Sequence, residues 1–310
     1  MLTYVLIAAA LFLGCVGASL VSLNLLGAAL FPIPVVVYWV RGRPGRAIGL
    51  VAAAGLAALV SMGTWGAVLY YILLAAIGFP LGLGIARHWT YARTVTVAAG
   101  FAYVLVAGNL LLAWPDWVAQ GGAMYDLWIA ELQQQQAGTD REYASALVQN
   151  ATWLKDHWPE LGLGLMLWPI LVETCLGLSL LSAWLRRRFG AEGVRGSFRS
   201  MRTSEWLVWA AIGVAVLGLI DYRWPGTALR VVSWNAGLAL ASIYWLNGFS
   251  ILVYALDALR PHVLLYVPIV AVLVWFGIHP VLCFVGFFDT WSNFRKMLDG
   301  LAAARKKMSE

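Results

Sequence analysis

A single carboxylate within a long apolar stretch is the residue best placed to do chemistry in this sequence. Glu173 lies in Trp168-Pro-Ile-Leu-Val-Glu-Thr-Cys175, and Pro169 precedes it by one helical turn. A charged side chain at membrane depth is costly, so a carboxylate there must be protonated or paired. Such a group suits a proton relay or a contact to a cationic ligand. A hydrogen bond to a neighbouring helix is the structural alternative, and the sequence favours neither.

Uncharged polar residues within the apolar stretches are the other candidates for a ligand site. Asn235 and Asn247 are twelve residues apart, which places them about 120° apart around a helix. Tyr244 precedes Asn247 by three residues and shares its face. Interhelical hydrogen bonding is the usual role of such amides, and lining a polar cavity is the alternative. Asn109 has the same two explanations.

A second acid within apolar sequence, Asp289, has possible partners close by in the chain. Asn293 follows one turn later, and Arg295 two residues beyond it. Asn293 can satisfy the carboxylate because residues four positions apart are neighbours on a helix, and the long side chain of Arg295 could also reach it. We therefore expect Asp289 to be structural.

The sequence contains no motif of an established enzyme chemistry. It has no GxxxxGK[ST] phosphate-binding loop, no HExxH zinc motif and no GxSxG nucleophile motif. The three cysteines are isolated, and the four histidines show no spacing that suits metal ligation. We therefore expect no cofactor and no bound metal.

The apolar stretches around these residues decide the fold class. The chain has 310 residues, of which 62% are hydrophobic and 12% charged, whereas a soluble domain carries about 25% charged residues. In hydrocarbon every backbone amide must be satisfied internally, which leaves helices or a closed barrel. Stretches such as 161–185 are apolar on nearly every face and lack the alternation of a barrel strand. The sequence predicts an all-α polytopic transmembrane bundle.

The positive charges predict how these helices cross the membrane. Of 21 Lys and Arg residues, 17 lie in short clusters between or after apolar runs. The positive-inside rule places such clusters in cytoplasmic loops, where they also contact anionic lipid. Ten spans put both termini in the cytoplasm, and eight remain if 1–40 or 262–298 is re-entrant. The net charge of +6 is thus a topology signal, and we expect a bacterial inner (cytoplasmic) membrane protein that binds no nucleic acid.

One polar interruption divides the sequence into three parts. Residues 115–160 carry seven of the fifteen acids but only two bases, which places them outside the cell membrane. Thr139-Asp-Arg-Glu142 fits a capping box, and apolar residues then recur at near-helical spacing, as in a helix on the membrane surface or on the bundle. We expect N-terminal transmembrane helices over 1–114, an external amphipathic segment over 115–160, and C-terminal transmembrane helices over 161–310.

Short motifs in the C-terminal third carry a family resemblance. They are Phe198-Arg199 and Arg202 leading into Trp206, Asn235, Tyr244 with Gly248-Phe-Ser250, Gly286-Phe-Phe-Asp289, and Asn293-Phe-Arg295. Over about 195–297 the chain resembles the YybS-like family of uncharacterised bacterial membrane proteins, and 1–190 shares its hydropathy and loop placement. That family is similar to the S subunits of energy-coupling-factor transporters, which bind a vitamin or similar small molecule within a helical bundle. The resemblance implies ATPase and scaffold subunits in trans.

Three functions fit these observations. The first is an integral membrane protein that binds a small or lipidic molecule as part of a transport system, with membrane lipids as further partners. Its candidate ligand contacts are Glu173, Asn235, Tyr244, Asn247 and Asn109. The second is a structural or assembly protein that recruits envelope machinery, and the third is an intramembrane enzyme. A deep cavity near Glu173 and Asn235 would favour the first function, and a densely packed bundle would favour the second.

Overall fold

The protein is helical throughout the part of the chain that the structure describes. The computed structural model describes residues 32–62, 72, 75–135, 141–189, 194–259 and 278–300. Its helices are α1 (Ile33–Val40), α2 (Pro44–Met62), α3 (Gly78–Ala86), α4 (Tyr91–Leu112), α5 (Trp114–Gln135), α6 (Arg141–Phe189), α7 (Trp206–Arg223), α8 (Thr227–Leu259) and α9 (His279–Ser292). A short 3-10 helix, Phe198–Ser200, precedes α7. These ranges contain no strand, and the predicted all-α fold is confirmed.

Four helices in the described ranges are long and apolar enough to cross a membrane. They contain the apolar segments Tyr91–Leu112, Ser145–Arg187, Trp206–Arg223 and Thr227–Ala258. A span needs roughly 20 residues, so the 32-residue segment of α8 must tilt or project beyond the hydrocarbon. The spans predicted within 1–40 and 262–298 lie partly outside the described residues. The number of spans therefore stays a prediction.

Helix α6 departs most from the predicted boundaries. The sequence predicts an external segment that ends at 160 and a separate span that begins at 161, but one helix runs from Arg141 to Phe189. Pro159 and Pro169 lie inside it, although proline lacks the N–H donor of a regular helix. An unpaired backbone is so costly in lipid that the helix continues across such residues. The predicted capping box at Thr139 falls partly outside the described residues.

The chain divides into two compact units, each of which is considered by itself. The first comprises Met1–Tyr103, Leu167–Ala211 and Leu240–Glu310, and the second comprises Val104–Met166 and Ile212–Ala239. Helices α4, α6, α7 and α8 contribute residues to both units. This division by contacts differs from the three segments predicted from polarity, which remain a prediction.

The second unit is held together by aromatic rings that pack against glycine. The indole rings of Trp117 and Trp158 lie 4.5 Å apart and join α5 to α6. Gly121 leaves the space that Trp158 fills, because a Cβ there would lie 1.8 Å from the indole nitrogen. An ion pair of 2.5 Å between Asp126 and Lys155 joins the same helices. Trp158, one of the apolar residues of the segment predicted as external, thus packs on α5.

In the first unit, two basic segments predicted as cytoplasmic loops lie side by side. The N–H of Tyr91 donates to the carbonyl of Arg195 at 2.8 Å, and the N–H of Arg195 donates to the carbonyl of Trp89 at 2.9 Å. This short parallel bridge joins the start of α4 to the chain that follows α6. The two segments therefore belong to the same end of the helices in this unit.

Candidate ligand-binding site

One face of α6 changes from apolar to polar along the helix. Its residues recur at steps of three, one, three, three and four, which keeps them on one side of a helix. They are Val172, Cys175, Leu176, Ser179, Ser182 and Arg186. Because the apolar segment of α6 ends at Arg187, the polar end of this face lies where hydrocarbon gives way to water.

The facing residues of α8 are aromatic. The rings of Trp245 and Phe249 stack with their centroids 5.3 Å apart and their planes at 7°. Phe198, from the loop before α7, meets Phe249 at 5.8 Å. Trp168 of α6 meets Trp245 edge-on at 5.4 Å. These rings hold the two helices apart.

An apolar cavity of 170 Å³ lies between the two faces. Val172, Cys175 and Leu176 line it from α6, and Trp245, Leu246 and Phe249 line it from α8. Ser179 and Phe198 complete the lining. A cavity of about 150 Å³ with apolar walls holds a benzene ring. The space therefore suits the apolar part of a ligand.

A polar cavity of 260 Å³ adjoins the apolar one, because Ser179 and Phe198 line both. Its remaining lining comprises Tyr91, Ser182, Arg186, Gly196, Ser197, Arg199 and Val253. Two of these residues are arginines, and none is an acid. The two cavities together are thus apolar at one end and positively charged at the other.

The hydroxyl groups along this face of α6 differ in their hydrogen bonding. The Tyr91 hydroxyl donates to the carbonyl of Cys175 at 2.7 Å and lies 2.9 Å from Ser179 Oγ, which joins α4 to α6. Ser182 is only 8% exposed, and its hydroxyl has no hydrogen-bond partner among the described residues. A buried hydroxyl without a partner costs free energy. The Ser182 hydroxyl therefore has unused hydrogen-bonding capacity at the wall of the polar cavity.

The two arginines of the polar cavity are not equivalent. Arg199 forms an ion pair with Asp257 of α8, and both side chains are half exposed. The pairing of Asp257 with Arg199 was not foreseen in the sequence. The Nε of Arg186 donates to the carbonyl of Ser182 at 3.3 Å, and no acid pairs with it in the described part of the chain. Most of the unbalanced positive charge of the cavity is therefore on Arg186.

A buried arginine fixes the loop that walls both cavities. Arg295 is 4% exposed and pairs with Asp289 at 2.5 Å. It also donates to the carbonyls of Met201 at 2.6 Å and Arg199 at 3.1 Å, and to Ser250 Oγ at 2.6 Å. The sequence offers Asn293 and Arg295 as partners for Asp289, and the structure pairs the carboxylate with the Arg295 side chain. The structure adds that this pair holds the loop before α7 against α8 and α9.

The predicted candidate Glu173 lies on α6 beside the cavity wall. It is half-buried, follows Val172 directly, and lines neither cavity. No described residue forms a hydrogen bond or ion pair with its carboxylate. Asn109, also half-buried, lies on α4 in the second unit, and its side chain has no partner in the described ranges.

Asn235 joins two helices of the second unit. Its oxygen accepts from the N–H of Gly164 at 2.5 Å, and its nitrogen donates to the carbonyl of Glu160 at 2.5 Å and to that of Val231 at 2.7 Å. In a regular helix the N–H of Gly164 and the carbonyl of Glu160 would pair with each other. The side chain of Asn235 bridges these two groups of α6 and thereby ties α8 to it.

Asn247 and Tyr244 lie at the junction of α8 with α9. The Asn247 nitrogen donates to the carbonyl of Gly286 at 2.8 Å in a buried contact. The Asn247 oxygen and the Tyr244 hydroxyl have no partner among the described residues. Glu173, Tyr244 and Asn247 thus belong to the first unit, whereas Asn235 and Asn109 belong to the second.

Sequence reasoning missed the two residues that make the polar cavity distinctive. Ser182 and Arg186 follow the cavity face of α6, and this spacing is visible in the sequence. They were passed over because Arg186 begins a basic cluster, which by itself indicates topology, and because serine is common in membrane helices. The signal that could have found them is the continuation of one helical face from Val172 into the cluster.

Comparison with protein families shows where this chain belongs. A family model described as predicted membrane protein (DUF2232) matches residues 6–136 and 164–290, well over half of the sequence. The chain belongs to the DUF2232 family. No curated protein and no solved structure matches it. Family membership agrees with the four long apolar helices, and the protein is an integral membrane protein.

Proposed function

We propose that this DUF2232 protein binds a small or lipidic molecule in the apolar cavity between α6 and α8, as part of a transport system of the bacterial inner membrane. The observation that carries the proposal is the cavity itself. Helices that face each other in a membrane normally pack to native density. Here a stack of aromatic rings keeps 170 Å³ free between two helices long enough to span.

The size of the site supports a ligand larger than the apolar cavity alone can hold. Ligand pockets commonly measure about 300–1,000 Å³. The apolar cavity of 170 Å³ falls below this range, but it adjoins the polar cavity of 260 Å³. A ligand that occupies both would place its apolar part beside Trp245 and its polar part beside Ser182.

The transport role draws on the resemblance described above. Residues 195–297 resemble the YybS-like family and, through it, S subunits that rely on ATPase and scaffold subunits in trans. The absence of a P-loop from the 310 residues is consistent with such reliance. Glu173, half-buried and next to the cavity wall, lines neither cavity, and we propose it as the acid that takes up or releases a proton beside the site.

Native mass spectrometry of the protein purified in mild detergent tests this proposal. We expect the wild type to retain a small molecule or lipid. Leu176→Phe adds a ring to the cavity wall and should remove the adduct. Leu180→Phe is the matched control, because Leu180 lies on the same helix, is 38% exposed and lines neither cavity.

The control decides between a site and general lipid association. Retention of the same adduct by both variants would show that the bound molecule lies elsewhere. A wild type that carries no adduct under conditions in which other membrane proteins keep theirs would count against the proposal.

A structural or assembly protein is the second candidate. The observation in its favour is the junction of α8 with α9, where Gly248 and Gly286 let the two backbones touch. Such packing suits a rigid scaffold. If this alternative holds, filling the cavity with Leu176→Phe should raise thermal stability without any loss of function in cells.

A further inference from the structure

We infer that the polar cavity binds the phosphate group of a single-chain amphiphile and that the first carbons of its hydrocarbon chain occupy the apolar cavity. This inference rests on the proposed function and adds the chemical class of the ligand. Two observations support it. Arg186 and the unpaired Ser182 hydroxyl line the polar cavity, and the polar and apolar cavities share two lining residues.

The donors of the polar cavity match an anion. A guanidinium presents five N–H groups in a planar fork, and Arg186 uses one of them on the carbonyl of Ser182. The remaining N–H groups can bind two oxygens of a phosphate. Ser182 adds a hydroxyl donor one turn before Arg186 on the same helix face. Among the residues that the structure describes, none of those lining this cavity is acidic, so none of them would repel an anion.

A second charge lies opposite. Arg199 lines the same cavity, but its ion pair with Asp257 neutralises it in the absence of a ligand. That pair is half exposed, and an exposed ion pair contributes little to stability. An arriving phosphate can therefore share the Arg199 guanidinium at low cost. We assign the main role to Arg186 and a supporting role to Arg199.

The position of the two cavities along α6 selects an amphiphile over a water-soluble phosphate. The apolar residues Val172 and Leu176 lie about four and three helical turns before Arg186, within the apolar segment that ends at Arg187. A molecule that fills both cavities must therefore have its anionic group at the membrane surface and its chain within the hydrocarbon. Free phosphate could use only the polar end.

A pair of probes that differ only in the phosphate tests the inference. Oleoyl lysophosphatidic acid and mono-oleoyl glycerol carry the same chain, and their apparent Kd values for the full-length protein are measured by native mass spectrometry in neutral detergent. Inorganic phosphate is added as a competitor in a third arm. We expect lysophosphatidic acid to bind at least about tenfold more tightly than mono-oleoyl glycerol, as removal of a hydrogen bond to a charged group implies.

Three variants locate the effect. Arg186→Gln should abolish the preference for the phosphate-bearing probe, whereas Arg187→Gln, an exposed neighbour that lines neither cavity, should keep it. Ser182→Ala should weaken binding of the phosphate-bearing probe without lowering the melting temperature of the ligand-free protein, because it removes a buried hydroxyl that has no partner. A merely structural Ser182 would show the opposite pattern.

The outcomes separate this inference from the proposed function. Equal affinity for the two probes, with both lost in Leu176→Phe, would overturn the phosphate assignment and leave the apolar site standing. Displacement of lysophosphatidic acid by millimolar inorganic phosphate would reassign the polar cavity to a free anion. Binding of both probes unchanged in Leu176→Phe would overturn the inference and the proposed function together.

Discussion

Helix α8 makes two very different junctions in the first unit. Towards α6 it presents the stacked rings of Trp245 and Phe249, and cavities remain between the helices. Towards α9 it presents Gly248, where a Cβ would lie 1.9 Å from the carbonyl of Leu282. Gly286 of α9 is equally close to the carbonyl of Tyr244. The junction of α8 with α6 therefore contains a cavity, whereas at its junction with α9 the two backbones are in direct contact.

The comparison shows that the size of the side chains along α8 determines how closely each part of this helix packs against its neighbours. Lipid supplies no hydrophobic force that pushes helices together, so close contact depends on small residues and interhelical hydrogen bonds. The α8–α9 junction has both, since Asn247 donates to the carbonyl of Gly286 beside the touching backbones. In the first unit, α8 meets α6 through the rings of Trp168 and Trp245 instead. The ligand site that we propose lies at this more open junction.

The largest loss of stability should come from breaking the buried ion pair between Asp289 and Arg295, which holds the loop before α7. Arg295→Met leaves the Asp289 carboxylate buried without its charge partner and frees the loop before α7. Removal of one member of a buried pair typically costs about 3–5 kcal/mol. We expect a large drop in melting temperature in detergent. Lys296→Met, a change at an exposed neighbour, is the control, and Asp289→Leu added to Arg295→Met should restore part of the loss.

A smaller loss of stability should follow from a substitution that separates the touching backbones of α8 and α9. Gly286→Ala places a methyl group against the α8 backbone, which cannot rotate away as a side chain could. Overpacking of this kind costs about 1–3 kcal/mol. Gly218→Ala on α7 is the control, because nothing lies within 4 Å of its added Cβ. Equal melting temperatures for the two variants would show that the close approach does not hold α8 and α9 together.

A still smaller loss of stability should follow from removing a hydrogen bond beside the polar cavity. Tyr91→Phe removes the hydroxyl that donates to Cys175 and contacts Ser179. The loss of one such hydrogen bond lowers the free energy of unfolding by about 1 kcal/mol. Differential scanning fluorimetry measures it. Ligand retention should fall more in this variant than in Gly286→Ala, although the latter is less stable, because Tyr91 lines the polar cavity.

The smallest effect on stability is expected at Glu173. Glu173→Gln keeps the shape and hydrogen-bonding capacity of the side chain while it removes the charge. The melting temperature should stay near that of the wild type, whereas binding of an identified ligand, or its pH dependence, should weaken. Glu173→Leu should weaken binding of the ligand, or its pH dependence, to the same extent as Glu173→Gln. Suppose that both variants bind as the wild type does and only the leucine variant melts earlier. Glu173 would then be structural.

Some contacts of the candidate site were predictable because they are local. Asp289 and Arg295 are six residues apart, so the sequence could offer Arg295, together with Asn293, as a partner for the carboxylate. Tyr91 and Cys175 are 84 residues apart, and nothing in the local pattern connects them. Asn235 and Asn247 look alike in sequence, yet one bridges α8 to α6 in the second unit and the other bridges α8 to α9 in the first.

The sequence by itself determined that this protein is an all-α membrane protein. Hydropathy is a sum over neighbouring residues, and an unpaired backbone is unacceptable in lipid, so long apolar stretches that lack the alternation of a barrel strand dictate helices. Tertiary structure decided that α6 continues through Pro159, that Trp245 faces α6, and that the Ser182 hydroxyl is buried without a partner. These depend on which faces of distant helices meet. That choice is set by the shapes of side chains from separate parts of the chain, which no local pattern contains.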